Sequence, residues 1–306
     1  MRIAGLSVFA AFVSVLCAAG SIAAEIQWAN LDFAAAGAQA RAEGKLVHIF
    51  VEGDHCPPCD AFKRSHLADP AYIDYVSTLF VNIRVHESDP AGQAFLASMN
   101  LAHSAVPRFY VLSPEGSGVS MSIGMVAAPP MEGADVLSMA SGKDLPIKRE
   151  AAASLAMRLR AHAARERAAG AIHPDNPLRH IGLAALEAQA WALAGRPDEA
   201  ENAFGGAWAT QLVDQDVRNW YVNFWVGWRR NLDGALSAAN EYRQLSPEDP
   251  NGWWLMGTTL ATLERYGEAA DFGERLAVAN PQNARLAELV RQWRSQAVRI
   301  DTQYLE

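Results

Sequence analysis

The chain has 306 residues, 50% of them hydrophobic, and a formal charge of −8. That is enough for two domains with buried cores, and it excludes nucleic acid as a partner because no basic stripe could neutralise phosphates. Of the three cysteines one lies in the N-terminal apolar stretch, which excludes a disulfide framework and an all-cysteine zinc site within one chain.

Arg2 precedes an apolar run from Ile3 to Ala19, and Gly20-Ser21-Ile22-Ala23-Ala24 supplies small residues for cleavage near Ala24. Residues 1–24 are therefore expected to be a secretory signal, with an uncleaved anchor as the alternative because the run is only just long enough to span a bilayer. Cys17 follows Leu16 rather than a small residue, which argues against lipid attachment, and it leaves with the signal. The exported chain keeps Cys56 and Cys59. No later segment is long and apolar enough to cross a membrane.

Ala34 to Lys45 is Ala-rich and reads as a helix; Leu46-Val47-His48-Ile49-Phe50-Val51 reads as a buried strand. The strand leads into Gly53-Asp54-His55-Cys56-Pro57-Pro58-Cys59-Asp60-Ala61-Phe62-Lys63, where a new helix opens. A cysteine at a helix start faces unpaired N–H groups and the positive end of the helix dipole, both of which favour thiolate. Cys56 is the expected nucleophile. Cys59, one turn further on, is placed to attack a mixed disulfide on Cys56, as the resolving thiol. Pro57 and Pro58 suit the first helical turn, where N–H groups have no intrahelical partner, and their fixed φ stiffens the active-site loop.

Leu79 to Val85 alternates as a second strand, and Ser88-Asp89-Pro90 starts a helix over Pro90 to Met99. Val106 to Leu112 reads as a strand, Ser113-Pro114-Glu115-Gly116 as a turn, and Val119 to Met125 as another strand. The order is strand, helix, strand, helix, then a hairpin.

These residues resemble a thioredoxin-fold domain, with Cys56-Pro57-Pro58-Cys59 after the central strand and Val106-Pro107 some fifty positions later. The resemblance implies an α/β thioredoxin fold over residues 25–145, a central mixed sheet flanked by helices. It also implies a cis Pro107 packed on the active-site disulfide, a place for Val106 in the substrate groove, and redox roles for Cys56 and Cys59. The redox-active disulfide is then the only cofactor, and the substrates are cysteine-containing exported proteins. Glu43-Gly44-Lys45 and the insert after the Cys helix look closest to periplasmic domains that receive electrons from membrane reductases. That adds a periplasmic location and a candidate membrane electron donor.

Two positions depart from the family. His55 stands where Trp is common, and Phe50 replaces the buried acid of cytosolic thioredoxins. A protonated His55 would stabilise the Cys56 thiolate and the reduced form, and without the acid either Glu52 or solvent takes the Cys59 proton. Two other readings stay open: a static disulfide in an envelope scaffold, and Cu(I) binding. For copper, His48, His55, His86, His103, Met99, Met121, Met125 and Met131 are available, but none has a diagnostic spacing, so no metal site is assigned.

Beyond Pro146 the composition turns helical. Residues 146–180 are expected to hold a linking helix, Lys148 to Ala169, followed by an all-α domain over residues 181–306. Eight of the nine tryptophans lie beyond residue 190, and a period of 34 relates Trp220 to Trp254, Ala235 to Ala269 and Pro247 to Pro281. Trp253-x2-Met256-Gly257-x2-Leu260 with Ala269 and Pro281 resembles the tetratricopeptide pattern. The expected units run near 181–214, 216–249 and 250–283, closed by a helix from Ala284 to Val298, and the middle unit fits worst because of Asn223. Ala188, Ala200, Ala235, Gly257 and Ala269 would allow close helix approach. Such repeats imply a protein partner on a face containing Tyr221, Trp225, Trp228 and Trp254; the alternatives are that these rings pack between helices, or that the repeats dock on the redox domain.

Overall fold

A computed structural model of the chain describes residues 25–101, 106–123, 145–170, 179–208 and 215–303. The expected signal, along with His103, Met125 and Met131, lies outside the described residues.

The N-terminal part is built on a mixed sheet. In chain order its elements are β1 (Trp28–Ala29), α1 (Phe33–Glu43), β2 (Leu46–Glu52), α2 (Pro57–Phe62), a π-helical turn (Lys63–Leu67), α3 (Pro70–Leu79), β3 (Phe80–His86), α4 (Pro90–Ser98), β4 (Arg108–Leu112) and β5 (Gly118–Ile123). The strands lie in the order β1-β3-β2-β4-β5; β1 and β2 run parallel to β3, β4 antiparallel to β2, and β5 antiparallel to β4. Local chemistry sets the boundaries. Asp32 caps α1 by accepting from the Ala35 N–H at 3.1 Å, and Gly44, at φ 68°, ends that helix in the left-handed region.

Every residue of β2 is buried, since helices cover both faces of the sheet. Val47, Ile49 and Val51 join a cluster with Ala36, Ala40, Phe95 and Leu96 of α1 and α4. Leu46 and Phe50 join the other, with Phe62, Tyr72, Leu79 and Phe109. The alternation expected for β3 is not expressed as exposure: only Arg84 is exposed, because β3 pairs on both edges and is covered on both sides.

Two elements were not in the expected order. β1 is only two residues long, too short for any periodicity. The insert after the Cys helix contains α3, a helix the sequence reading missed: Asp69 accepts from the Ala71 N–H at 2.8 Å and Pro70 occupies the first helical turn.

The C-terminal part is helical: α5 (Arg149–Ala169), α6 (Arg179–Leu193), α7 (Pro197–Trp208), α8 (Gln215–Trp228), α9 (Leu232–Leu245), α10 (Pro250–Thr262), α11 (Tyr266–Ala279) and α12 (Ala284–Gln303). The pairs α6/α7, α8/α9 and α10/α11 begin close to the expected unit starts, and α12 packs on α11 as a closing helix. Ala188, Ala200, Ala235 and Ala269 are fully buried. A Cβ on Gly273 would lie 2.7 Å from Val290 Cγ2 and 3.0 Å from the Trp293 ring, so α12 rests directly on that bare backbone. Between α10 and α11 the chain turns at Glu264, which takes the left-handed conformation at φ 61°, and Tyr266 begins α11.

Trp225 belongs to the core at 1% exposure and is unavailable to a partner, whereas Trp254 is 38% exposed and Tyr221 half-buried. The Trp228 side chain lies outside the described ones.

Helix α5, expected to link, instead packs. It lies against α3, and the apolar cluster runs without a break from Tyr72, Val76 and Leu79 to Leu155, Leu159 and Ile181. Polar contacts reinforce the seam: Arg179 pairs with Asp69 and Glu166, and the Tyr75 hydroxyl donates to Gln189. The helical region is thus docked on the sheet domain through α3, the helix that follows the cysteine pair.

Candidate active site

β2 ends at Glu52, and the chain turns through Gly53, Asp54 and His55 into α2. His55 is exposed and left-handed, at φ 47°. Cys56 is the N-cap of α2, with Pro57 and Pro58 in the first turn. Cys56 and Cys59 form a disulfide with Cα atoms 5.2 Å apart, and the Cys59 N–H donates to Cys56 Sγ at 3.1 Å. The two sulfurs are unequally placed: Cys56 retains 7% exposure and Cys59 only 1%. An incoming group therefore reaches Cys56 first. The six residues of α2 run straight into the π-helical turn, so the helical path behind the cap continues to Leu67.

Beneath α2 lies an aromatic layer. Phe62 packs with its ring centroid 5.3 Å from Phe50 and 4.7 Å from Phe109, and it stacks on His66 at 4.8 Å. Phe50 thus fills with hydrocarbon the place where the resemblance led one to look for an acid. The nearest buried carboxylate on that strand face is Glu52, 5% exposed, two residues on. Arg84 Nε donates to it at 2.5 Å and Lys63 Nζ lies at 3.2 Å. Burial pushes its pKa up, but the Arg84 and Lys63 hydrogen bonds outweigh burial and leave it below the usual carboxylate value. Lys63 also reaches Asp60 at 2.8 Å, and its backbone N–H bonds to the Cys59 carbonyl, so the ionic cluster is joined to the turn that holds Cys59.

The Val106–Pro107 peptide is cis and Pro107 is buried. Arg108 pairs with Val51 across the β2–β4 ladder, which places Val106 and Pro107 at the sheet edge from which the cysteine loop departs. Gly53 makes the approach close: a Cβ there would lie 3.2 Å from Val106 Cγ2 and 2.8 Å from Glu87 Oε1. Cys56, Cys59, the loop residues His55, Pro57 and Pro58, and Val106 and Pro107 are thus gathered at one end of the sheet. The sequence reading missed the ionic partners of this end: Lys63 and Arg84 around Glu52, and Arg108 bound to Glu87 at 3.2 Å. Arginines inside otherwise apolar strands were the available signal.

Among the candidate copper ligands, three histidines are described. His48 is inside the sheet with Nδ1 3.0 Å from Asn82 Oδ1, His86 lies 3.6 Å from Asp54, and His55 points outward. Among the described residues no three His, Cys, Asp or Glu side chains are grouped as a metal site.

Neither a protein-family model nor a curated protein matches the sequence. Among solved structures, the chain is similar to a thioredoxin from Thermus thermophilus determined in solution, at 25% identity over 33% of this chain and 76% of that one, with a TM-score of 0.28. The chain's own geometry is a disulfide at the end of a mixed sheet, in an arrangement consistent with a thioredoxin-like domain, followed by a helix-rich region.

Proposed function

We propose that this protein is a periplasmic thiol–disulfide oxidoreductase, exported by residues 1–24, which exchanges electrons with cysteines of other exported proteins. The observation that carries the reading is the Cys56–Cys59 disulfide at a helix start, with the outer sulfur on the cap and the inner one buried. A four-residue ring closes too little chain to matter much as a staple, which favours exchange over a static role.

In the reducing direction the Cys56 thiolate attacks a substrate disulfide. A bond forms between Cys56 and one substrate sulfur, and the other leaves as a thiolate that takes up a proton. Cys59 then loses its proton and attacks Cys56 Sγ, releasing the second substrate thiol and restoring the Cys56–Cys59 disulfide. Two electrons pass to the substrate; the oxidising direction reverses each step. A membrane reductase would supply the electrons for the first direction.

The helical region serves as a tetratricopeptide-like partner-binding unit in this reading. A groove of about 860 Å³ lies between α10, α11 and α12, with Trp254, Leu276 and Leu286 beside Asn251, Arg285 and Glu288, and offers a face of mixed apolar, amide and charged character.

The test uses the mature protein. Cys56→Ser should abolish reduction of a protein disulfide, and Cys59→Ser should accumulate mixed disulfides on Cys56. Full activity in Cys56→Ser would sink the proposal, and a wild-type pair inert to glutathione buffers would favour the scaffold with a static disulfide.

A further inference from the structure

Below the cysteine loop, on the sheet face opposite α2, a buried arginine meets a half-buried glutamate where three chain segments come together. Arg108, the first residue of β4, is 1% exposed, and its Nη2 lies 3.2 Å from Oε2 of Glu87, whose side chain is 30% exposed. Glu87 directly follows β3, and its N–H continues the ladder by donating to the Glu52 carbonyl at 2.8 Å. Its other carboxylate oxygen abuts Gly53, 2.8 Å from where a Cβ would be, and the same point is 3.2 Å from Val106 Cγ2. One carboxylate therefore links a buried guanidinium to the backbone of the cysteine loop three residues before Cys56, and Val106 borders the same point at Gly53.

We infer that Glu87, held by Arg108, is a positioning residue that sets Val106 against the cysteine loop and so fixes the groove in which a polypeptide substrate lies over Cys56. The inference rests on the oxidoreductase reading and adds a division of labour within that site. The ion pair ties the carboxylate to a fully buried guanidinium, so the carboxylate shifts only at a cost. Gly53 supplies the clearance: any side chain there pushes on Glu87 or Val106. A small dithiol needs access to sulfur and no groove. A protein disulfide needs both, and a displacement of roughly 1 Å in its bound pose can cost up to about a hundredfold in rate.

The experiment compares two reactions of the same full-length mature protein: reduction of its disulfide by dithiothreitol, and turnover of insulin disulfides with dithiothreitol as the electron source. In Glu87→Gln, which keeps the shape of the side chain, the dithiothreitol step should stay within about twofold of wild type while kcat/KM for insulin falls about tenfold or more, mainly through KM. Glu87→Asp should recover part of that loss. Gly53→Ala leaves both ionic partners intact and should reproduce the same selective defect by displacement alone. A wild-type protein that turns over insulin, with variants whose two rates fall together or not at all, would overturn the groove assignment alone. A wild-type disulfide that reacts with neither reagent would overturn the oxidoreductase reading, and this inference with it.

Discussion

Arg158 of α5 forks onto Asp74 of α3, with Nε and Nη2 each 2.8 Å from a carboxylate oxygen, while Thr78 and Ser154 hydrogen-bond the same guanidinium at 3.1 and 3.0 Å. The pair crosses the seam between the sheet domain and the helical region, where the apolar cluster is already continuous. A shared core and a bidentate ion pair predict one cooperative unfolding transition for both parts. Arg158→Met should destabilise the protein by about 2 kcal/mol, because Asp74 is left nearly buried without its partner. Urea denaturation followed by near-UV and far-UV circular dichroism checks this. Two separate wild-type transitions would show that the seam is weak.

His48 gives the sheet an acid sensitivity of known sign. It lies fully buried in β2; burial drives its pKa down to about 4 from the usual 6.5, and the Asn82 hydrogen bond only partly opposes this. Because the folded value is depressed, the unfolded chain binds more protons between pH 6.5 and 4. Stability contributed by the neutral imidazole is full above pH 6.5 and is lost as pH falls towards 4, by about 3 kcal/mol at 1.36 kcal/mol per unit. His48→Gln should flatten the stability profile by that amount over this window. Equal slopes for variant and wild type in urea melts at pH 4 and pH 7 would contradict the assignment.

The same substitution at two helical glycines should act with opposite sign. In α11, Gly273→Ala places a methyl 2.7 Å from Val290 Cγ2 and 3.0 Å from the Trp293 ring. Overpacking costs about 1–3 kcal/mol and outweighs the helix-propensity gain of up to about 1 kcal/mol, so the closing helix should loosen. In α7, a Cβ on Gly205 meets nothing within 4 Å, and Gly205→Ala should stabilise by up to about 1 kcal/mol. Thermal melts of both variants, with hydrogen exchange along α12 for the first, settle the two signs.

These contrasts mark where the sequence was informative. The cysteine pair, its helix start and the prolines of the loop were legible because capping and proline geometry act over three or four residues. The paired helices were legible because a period of 34 repeats the same burial pattern. What stayed hidden depends on contacts between distant segments. The helix after the Cys helix was not expected, and nothing local said that it would carry the helical region through Asp69, Asp74 and Tyr75. Trp225 and Trp254 lie in neighbouring units, and only packing makes one core and the other half-open. Glu52 could be named, beside solvent, as a candidate acceptor for the Cys59 proton, whereas Arg84, thirty-two residues away, enters only once β2 and β3 pair.

Glu52 yields the prediction that bears most directly on electron flow. Its carboxylate is held ionised between Arg84 and Lys63, and Lys63 bonds through its own N–H to the carbonyl of Cys59. Negative charge at this place opposes a second negative charge on either cysteine in the reduced protein. Glu52→Gln removes that opposition and leaves Arg84 without its carboxylate and Lys63 with Asp60 alone, so the thiolate form gains stability. A more stable reduced form means a stronger oxidant. The reduction potential should rise by about 30 mV, equivalent to about 1.4 kcal/mol for two electrons, when measured by differential alkylation in glutathione buffers. Lys63→Met should shift it the other way, because the carboxylate then keeps only Arg84 and the helix loses its cation. If both variants moved in the same direction, the cluster would be acting through the packing of α2 on Phe50 and Phe109 instead of through charge.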